Sequence, residues 1–95
     1  MSISYKAIHF RLARNCLKIS QKDVEKATKI SVPTICRMEI EDVEVEKAKF
    51  STIRKLVEFY DNLGVIFLFD KDGLGGDGVI YDPKKNPKKL HDKIN

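Results

Sequence analysis

The sequence predicts a small, mainly α-helical domain that ends in a short β-hairpin. Apolar side chains recur every three or four positions through most of residues 5–63, which is the spacing of amphipathic helices. After Gly64 the pattern changes to two short apolar stretches, residues 65–69 and 79–82, joined by the glycine-rich connection "DKDGLGGDG". A chain of 95 residues is long enough for one hydrophobic core but not for two.

The first predicted helix covers about residues 5–17, with Ser4 as its N-cap. Apolar positions at helical spacing predict one inward face, formed by Ile8, Leu12, Ala13, Cys16 and Leu17. The rest of the helix surface carries the bases Arg11, Arg14 and Lys18.

Two short helices are predicted next. Ser20, with Asp23 three residues later, resembles a capping box and begins a second helix that ends near Thr28. Ser31 as N-cap and Pro33 in the first turn begin the third helix. The predicted inward residues are Val24, Ala27 and Thr28, followed by Ile35 and Met38. Residues 29–31 alone separate the two helices, which is the length of a helix-turn-helix corner.

A fourth helix, "STIRKLVEFYDNLG", is predicted with Ser51 as its N-cap and Gly64 at its end. Its apolar stripe consists of Ile53, Leu56, Val57, Tyr60 and Leu63. The first hairpin strand, residues 65–69, is apolar on both faces, and helices cover only one of them. The other face or the open edge is therefore predicted to pair with a second copy of the chain, unless the hairpin folds entirely onto its own helices.

The formal net charge of +4 is unevenly distributed. Residues 5–37 hold eight bases and two acids, residues 38–46 hold five acids and no base, and residues 82–95 hold five lysines and two acids. The basic N-terminal third favours a nucleic-acid partner more than the total charge does. The acids would repel DNA within a Debye length of about 8 Å unless they point away. We expect Val43 and Val45 to face inward and the acids between them to face solvent.

Membrane and disulfide-stabilised proteins are not favoured. No apolar run approaches the roughly 20 residues of a membrane span. The N-terminus shows no secretory pattern, so a cytoplasmic location is expected. Cys16 and Cys36 both lie among apolar helical positions, which favours buried free thiols over a disulfide.

Metal sites and enzymatic activity are not expected either. The two histidines, His9 and His91, are far apart and belong to no ligand cluster. Asp70, Asp72 and Gly75 match the first, third and sixth positions of a calcium loop, but the twelfth is Tyr81, which cannot supply the bidentate carboxylate. No nucleophile–base set, paired acid motif or phosphate-binding loop is present, so no cofactor is expected.

Residues at matching spacings connect the corner to a known family: Arg14, Ile19-Ser20-Gln21, Val24, Ile30-Ser31, Thr34-Ile35 and Met38-Glu39. In these positions the chain resembles the Cro/repressor-type (Xre) helix-turn-helix family over about residues 5–63. The stretch "TIRKLVEFYDNLGVIFLF" and the later "GVIY" are similar to a small bacterial branch of it. The resemblance implies a four-helix, lambda-repressor-like domain. It also implies a bacterial or phage transcriptional regulator, a repressor, that binds double-stranded DNA as a homodimer.

The resemblance also implies roles for individual residues. Gln21 would contact a phosphate at the start of the second helix, and Arg37 a guanine edge in the major groove. Arg14 and Glu39 would form a partly buried ion pair between the first and third helices. The expected DNA-binding residues are Gln21, Lys22, Ser31, Val32, Pro33, Thr34 and Arg37. Further phosphate contacts are expected from Arg11 and Lys26, or from Lys47, Lys49, Arg54 and Lys55.

Two positions depart from the family pattern. Glu25 stands where the family has a small residue, and Lys29 stands where it usually has glycine. We expect Glu25 to reach outward, and Lys29 to be strained if the corner requires a positive φ. These departures and the acidic segment 39–46 support an alternative: an antitoxin-like or anti-repressor module on the same fold, with a protein partner at that segment.

The predicted organisation has three parts. Residues 1–64 form the helix-turn-helix domain, and residues 65–82 form the hairpin, which is the candidate dimerisation element. Residues 83–95 form a flexible basic tail that would add salt-sensitive affinity for DNA.

Overall fold

The structure is a computed structural model and describes residues 5–70 and 76–85. Within these ranges the chain forms five α-helices and a two-stranded antiparallel sheet. The elements are α1 (Ala7–Leu17), α2 (Gln21–Thr28), α3 (Val32–Ile40), α4 (Asp42–Lys47), α5 (Phe50–Asn62), β1 (Val65–Leu68) and β2 (Gly78–Tyr81). The predicted class, mainly α-helical with a C-terminal hairpin, is confirmed. The predicted Ser4 cap, the calcium-like positions Asp72 and Gly75, and residues 86–95 of the basic tail lie outside the described residues.

The buried face of α1 differs from the predicted one. Its fully buried residues are Ala7, His9, Phe10, Ala13 and Leu17, whereas Ile8, Leu12 and Cys16 are only half-buried. The cause is the hairpin, because the Nε2 of His9 donates to the carbonyl oxygen of Leu68 at 2.7 Å. The ring of Phe10 also lies 6.3 Å from that of Phe67. The hairpin therefore turns a different side of α1 into the core than the local apolar spacing suggests.

The start of α2 forms as its local signals predict, whereas the Ser31 side chain does not cap α3. The backbone N–H of Asp23 donates to the Ser20 side chain, and the Ser20 N–H donates to the Asp23 carboxylate, both at 3.0 Å. Lys29 ends α2 with φ of +67°, the left-handed conformation in which a side chain is disfavoured. The chain then enters α3 through Ser31, and Ile35 and Met38 are each 1% exposed in the core.

The acidic segment contains a helix that the sequence did not predict. Helix α4 buries Val45, which is 2% exposed, but leaves Val43 50% exposed. Positions i and i+2 of a helix lie about 200° apart around its axis, so Val43 and Val45 cannot both face the core. The expectation that both valines face inward is therefore wrong, and the number of helices is five within the described ranges rather than four.

The last helix and the hairpin close the core. Helix α5 begins at Phe50, one residue before the predicted Ser51 cap, and buries Leu56, Phe59 and Tyr60. In the hairpin, Val65 lies opposite Tyr81, Ile66 opposite Ile80, Phe67 opposite Val79, and Leu68 opposite Gly78. Phe67 and Val79 pack towards the core, while Ile66 and Ile80 are 37% and 50% exposed on the outer face.

Candidate nucleic-acid interface

Arg14 and Glu39 join the first and third helices. The Nε of Arg14 donates to both carboxylate oxygens of Glu39, at 3.1 and 2.9 Å, and its Nη2 donates to one of them at 2.9 Å. Glu39 is only 3% exposed, so this acid contributes little charge to the surface. The hydrogen bond from Arg14 to Glu39 also raises the pKa of the guanidinium above its usual value. The pair holds the orientation of α3 relative to α1.

Two further side chains converge on the same end of α3. The Nε2 of Gln21 donates to the carboxylate of Glu39 at 3.2 Å. The Nη1 of Arg11 donates to the backbone carbonyl oxygen of Glu39 at 3.3 Å. Gln21 is the first residue of α2, which is the position expected of a phosphate contact. Its side chain, however, already has Glu39 as an internal partner. Its amide retains one further hydrogen for an external acceptor.

The outer side of α3 carries the remaining predicted DNA contacts. Ser31, Pro33 and Arg37 are exposed, and Val32 and Thr34 are half-buried. The hydroxyl oxygens of Ser31 and Thr34 lie 3.0 Å apart and share a hydrogen bond. Ser31, Thr34 and Arg37 are spaced by three residues, so they follow one edge of the helix, with Thr34 next to the buried Met38 and Arg37 further towards the solvent. Lys22 and Lys26 are exposed on α2.

An open cavity of about 390 Å³ lies between α3, α4 and the start of α5. Its polar lining consists of Thr34, Arg37, Glu44, Lys47, Lys49 and Thr52. Among the described residues, Arg37, Lys47 and Lys49 form no ion pair, in contrast to Lys6, Arg14 and Arg54. Helix α5 has no side-chain cap and no acid in its first turn, so its first N–H groups add positive potential at this place. The arrangement suits an anionic group such as a phosphate.

The acids of segment 39–46 have different environments. Glu39 is paired with Arg14, and the Oδ1 of Asp42 accepts a hydrogen bond from the Ala7 N–H at 2.9 Å, which satisfies the start of α1. Glu41 and Glu46 are exposed. Glu44 is the acid that lies in the basic cavity, and with Glu41 it also lines a smaller cavity of about 220 Å³ on another side of Arg37. Two of the five acids, Glu39 and Asp42, therefore have hydrogen-bond partners within the fold.

Glu25 does not reach outward as expected. It is half-buried, and its Oε2 accepts a hydrogen bond from the Val32 N–H at 3.0 Å. Val32 is the first residue of α3, and the Ser31 side chain makes no capping bond there. Glu25 thus serves as the cap of α3 from the neighbouring helix. In the sequence this role would show only as an acid seven positions before the start of a helix. That pattern is too common to identify a helix cap.

The described residues also bear on three other features: a disulfide, a metal site and a membrane-spanning helix. Cys16 and Cys36 are free and half-buried. Within residues 5–70 and 76–85, no three potential metal ligands come together. In the same part of the chain, no helix combines the length and the apolar character required to cross a bilayer.

Comparisons with protein-family models, with curated proteins and with solved structures found no match for the chain. The assignment to the Xre family therefore stays a prediction from the residues quoted above.

Proposed function

We propose that the chain is a sequence-specific DNA-binding transcriptional regulator, a repressor, that inserts α3 into the major groove. The observation that supports this most directly is a cavity beside α3 that is lined by Arg37, Lys47 and Lys49, none of which forms an ion pair within the described residues, and by one acid, Glu44. Bases next to an uncapped helix start bind phosphates, and a helix with one exposed side fits a groove about 12 Å wide.

Each part of the surface has a distinct task under this proposal. Arg37 reads a guanine edge through two parallel hydrogen bonds, while Ser31 and Thr34 contact bases or phosphates near the start of α3. Val32 and Pro33 offer apolar contact, for instance to a thymine methyl group. Lys47 and Lys49 neutralise the backbone on one side of α3. Lys22, at the start of α2, does so on the other side, and Gln21 beside it donates a hydrogen bond to a phosphate.

We propose that the protein acts as a homodimer. Helix α3 has nine residues and reads only a few base pairs, whereas two copies on half-sites about one helical turn apart read enough for selective binding. The candidate contact is the outer face of the hairpin, where Ile66 and Ile80 lie opposite each other and are exposed.

One observation favours a second candidate function, an antitoxin-like or anti-repressor module that binds a protein. Ile40 is 63% exposed at the end of α3, and Val43 is 50% exposed in α4. Exposed Glu41 and Glu46 are close to them in sequence. Exposed apolar residues among acids suit a basic, amphipathic partner segment.

The deciding experiment is a fluorescence-anisotropy titration of random-sequence and genomic upstream duplexes at two salt concentrations. The variants are Arg37→Ala, Arg37→Lys and Arg54→Ala. We expect salt-sensitive binding by the wild type and a loss of sequence preference in both Arg37 variants, since Lys keeps the charge but not the two-bond geometry. The sequence predicts Arg54 as a phosphate contact, but it is paired with Glu58 at 2.9 Å; Arg54→Ala therefore serves as the control and should change little.

Equal losses in Arg37→Ala and Arg54→Ala would indicate diffuse electrostatic attraction rather than groove reading. An absence of binding at low salt would favour the protein-binding alternative. The partner surface would then be tested with Ile40→Ala and Val43→Ala.

A further inference from the structure

The cap of α3 carries a full negative charge at the place where a DNA-reading helix begins. Glu25 projects from α2, and its carboxylate accepts the N–H of Val32 at 3.0 Å. The Ser31 hydroxyl, which could have capped the helix without a charge, is instead bonded to Thr34. A neutral cap was therefore available at this position, and a charged one occupies it.

The carboxylate lies close to the residues that the proposed function places against DNA. Val32 is the first residue of α3, and Ser31, Pro33 and Thr34 flank it. Glu25 is half-buried and lines a cavity together with Lys22 and Lys26, but among residues 5–70 and 76–85 no base lies within ion-pair distance of its carboxylate. DNA phosphates near the start of α3 would fall within a Debye length of about 8 Å of this charge.

We propose that Glu25 sets the affinity of this protein for DNA: its carboxylate holds the start of α3 in place and at the same time repels the phosphate backbone. This inference rests on the proposed function. Backbone contacts dominate binding to DNA of any sequence, so an acid at this place weakens sequence-independent binding directly. Stable occupancy then depends on base contacts by α3 and on the second half-site.

The test compares Glu25→Gln, Glu25→Asp and wild type in binding to a random-sequence duplex. Glutamine keeps an oxygen acceptor for the Val32 N–H but removes the charge. We expect Glu25→Gln to bind more tightly by about three- to tenfold at low salt, with a smaller gain as salt rises, since the repulsion is Coulombic. Glu25→Asp, which keeps the charge, should show no gain.

A purely structural cap would give the opposite sign, because a disturbed α3 reads DNA less well. The control is Asp61→Asn, which makes the same change in net charge on the exposed last turn of α5, while α3 packs chiefly against α1, α2 and α4. Thermal unfolding followed by circular dichroism checks that each variant is folded.

Each outcome is decisive. Tighter binding by Glu25→Gln alone supports the inference. Unchanged or weaker binding by a folded Glu25→Gln, or an equal gain in Asp61→Asn, overturns it while the proposed function stands. If neither the wild type nor Glu25→Gln binds DNA at low salt, the proposed function fails and this inference fails with it.

Discussion

Lys6 and Asp77 form an ion pair of 2.8 Å between the residue before α1 and the residue before β2. Asp77 also accepts a hydrogen bond from the backbone N–H of Asp70 at 3.1 Å. Beside this pair, the buried ring of His9 accepts the Lys6 N–H through Nδ1 and donates to Leu68 through Nε2. Together these bonds fasten the hairpin to the start of α1. The outer face of the hairpin is thereby fixed in orientation relative to the helices.

The Asp77 pair makes a pH-dependent contribution to stability. The hydrogen bond from Lys6, followed by that from the Asp70 N–H, lowers the pKa of Asp77 below its usual 3.8. The pair therefore stabilises the folded state at pH values above 3.8 and loses this contribution as the pH falls through the lowered pKa. We expect Asp77→Asn to be less stable than wild type at pH 6, and the difference to disappear towards pH 2, as measured by urea unfolding across that range. A difference that persists at pH 2 would show that the charge is not the cause.

The hydroxyl group of Tyr60 is an unsatisfied polar group in the core. The side chain is 0% exposed, and among the described residues its Oη has no hydrogen-bond partner. Burial, together with the negative charge of Glu39, raises the pKa of Tyr60. We expect Tyr60→Phe to raise the free energy of unfolding by about 0.5–1.5 kcal/mol, because the desolvated hydroxyl is removed while the ring stays. Tyr81→Phe, at a side chain 40% exposed, is the control and should change little. A loss of stability in Tyr60→Phe would reveal a bond to its hydroxyl.

Removing the Glu39 side chain is expected to destabilise the fold far more than removing an exposed acid that is also paired with an arginine. Glu39→Ala leaves the largely buried Arg14 guanidinium without its carboxylate and removes the acceptor of Gln21. We expect a loss of about 3–5 kcal/mol in the free energy of unfolding, measured by chemical denaturation. Glu58→Ala, which breaks the exposed pair with Arg54, should cost less than about 0.5 kcal/mol. Equal effects of the two substitutions would contradict the central position of Glu39.

Local signals in the sequence predicted the corner of the fold correctly. The capping box of Ser20 and Asp23 and the Pro33 start of α3 depend on residues within three or four positions of each other. Such signals act over a single helical turn and are therefore readable in the chain itself. The exposure of Arg37 follows from the same spacing, since Arg37 lies at least about 100° around the helix from the buried Ile35 and Met38.

Contacts between distant elements could not be predicted from spacing. Arg14 and Glu39 are 25 residues apart and Gln21 and Glu39 are 18 apart, so only the family resemblance suggested the first pair and nothing suggested the second. The buried face of α1 depends on where the hairpin docks, which is 59 residues away at Leu68. The expectation that Glu25 reaches outward is wrong for the same reason, because its partner Val32 lies on the next helix.

The outer face of the hairpin provides the last prediction, which concerns oligomeric state. A two-stranded sheet is marginal alone, and here Ile66 and Ile80 place two exposed apolar side chains opposite each other. We expect wild type to sediment as a dimer and Ile80→Lys to sediment as a monomer, since two copies of the new charge would meet at the interface. Val43→Lys makes the same kind of change on α4 and should remain dimeric, which excludes a general effect of added charge. If the wild type is a monomer at concentrations that saturate DNA, the hairpin is excluded as a dimer contact. If Val43→Lys is a monomer while Ile80→Lys stays a dimer, the contact lies on α4 instead.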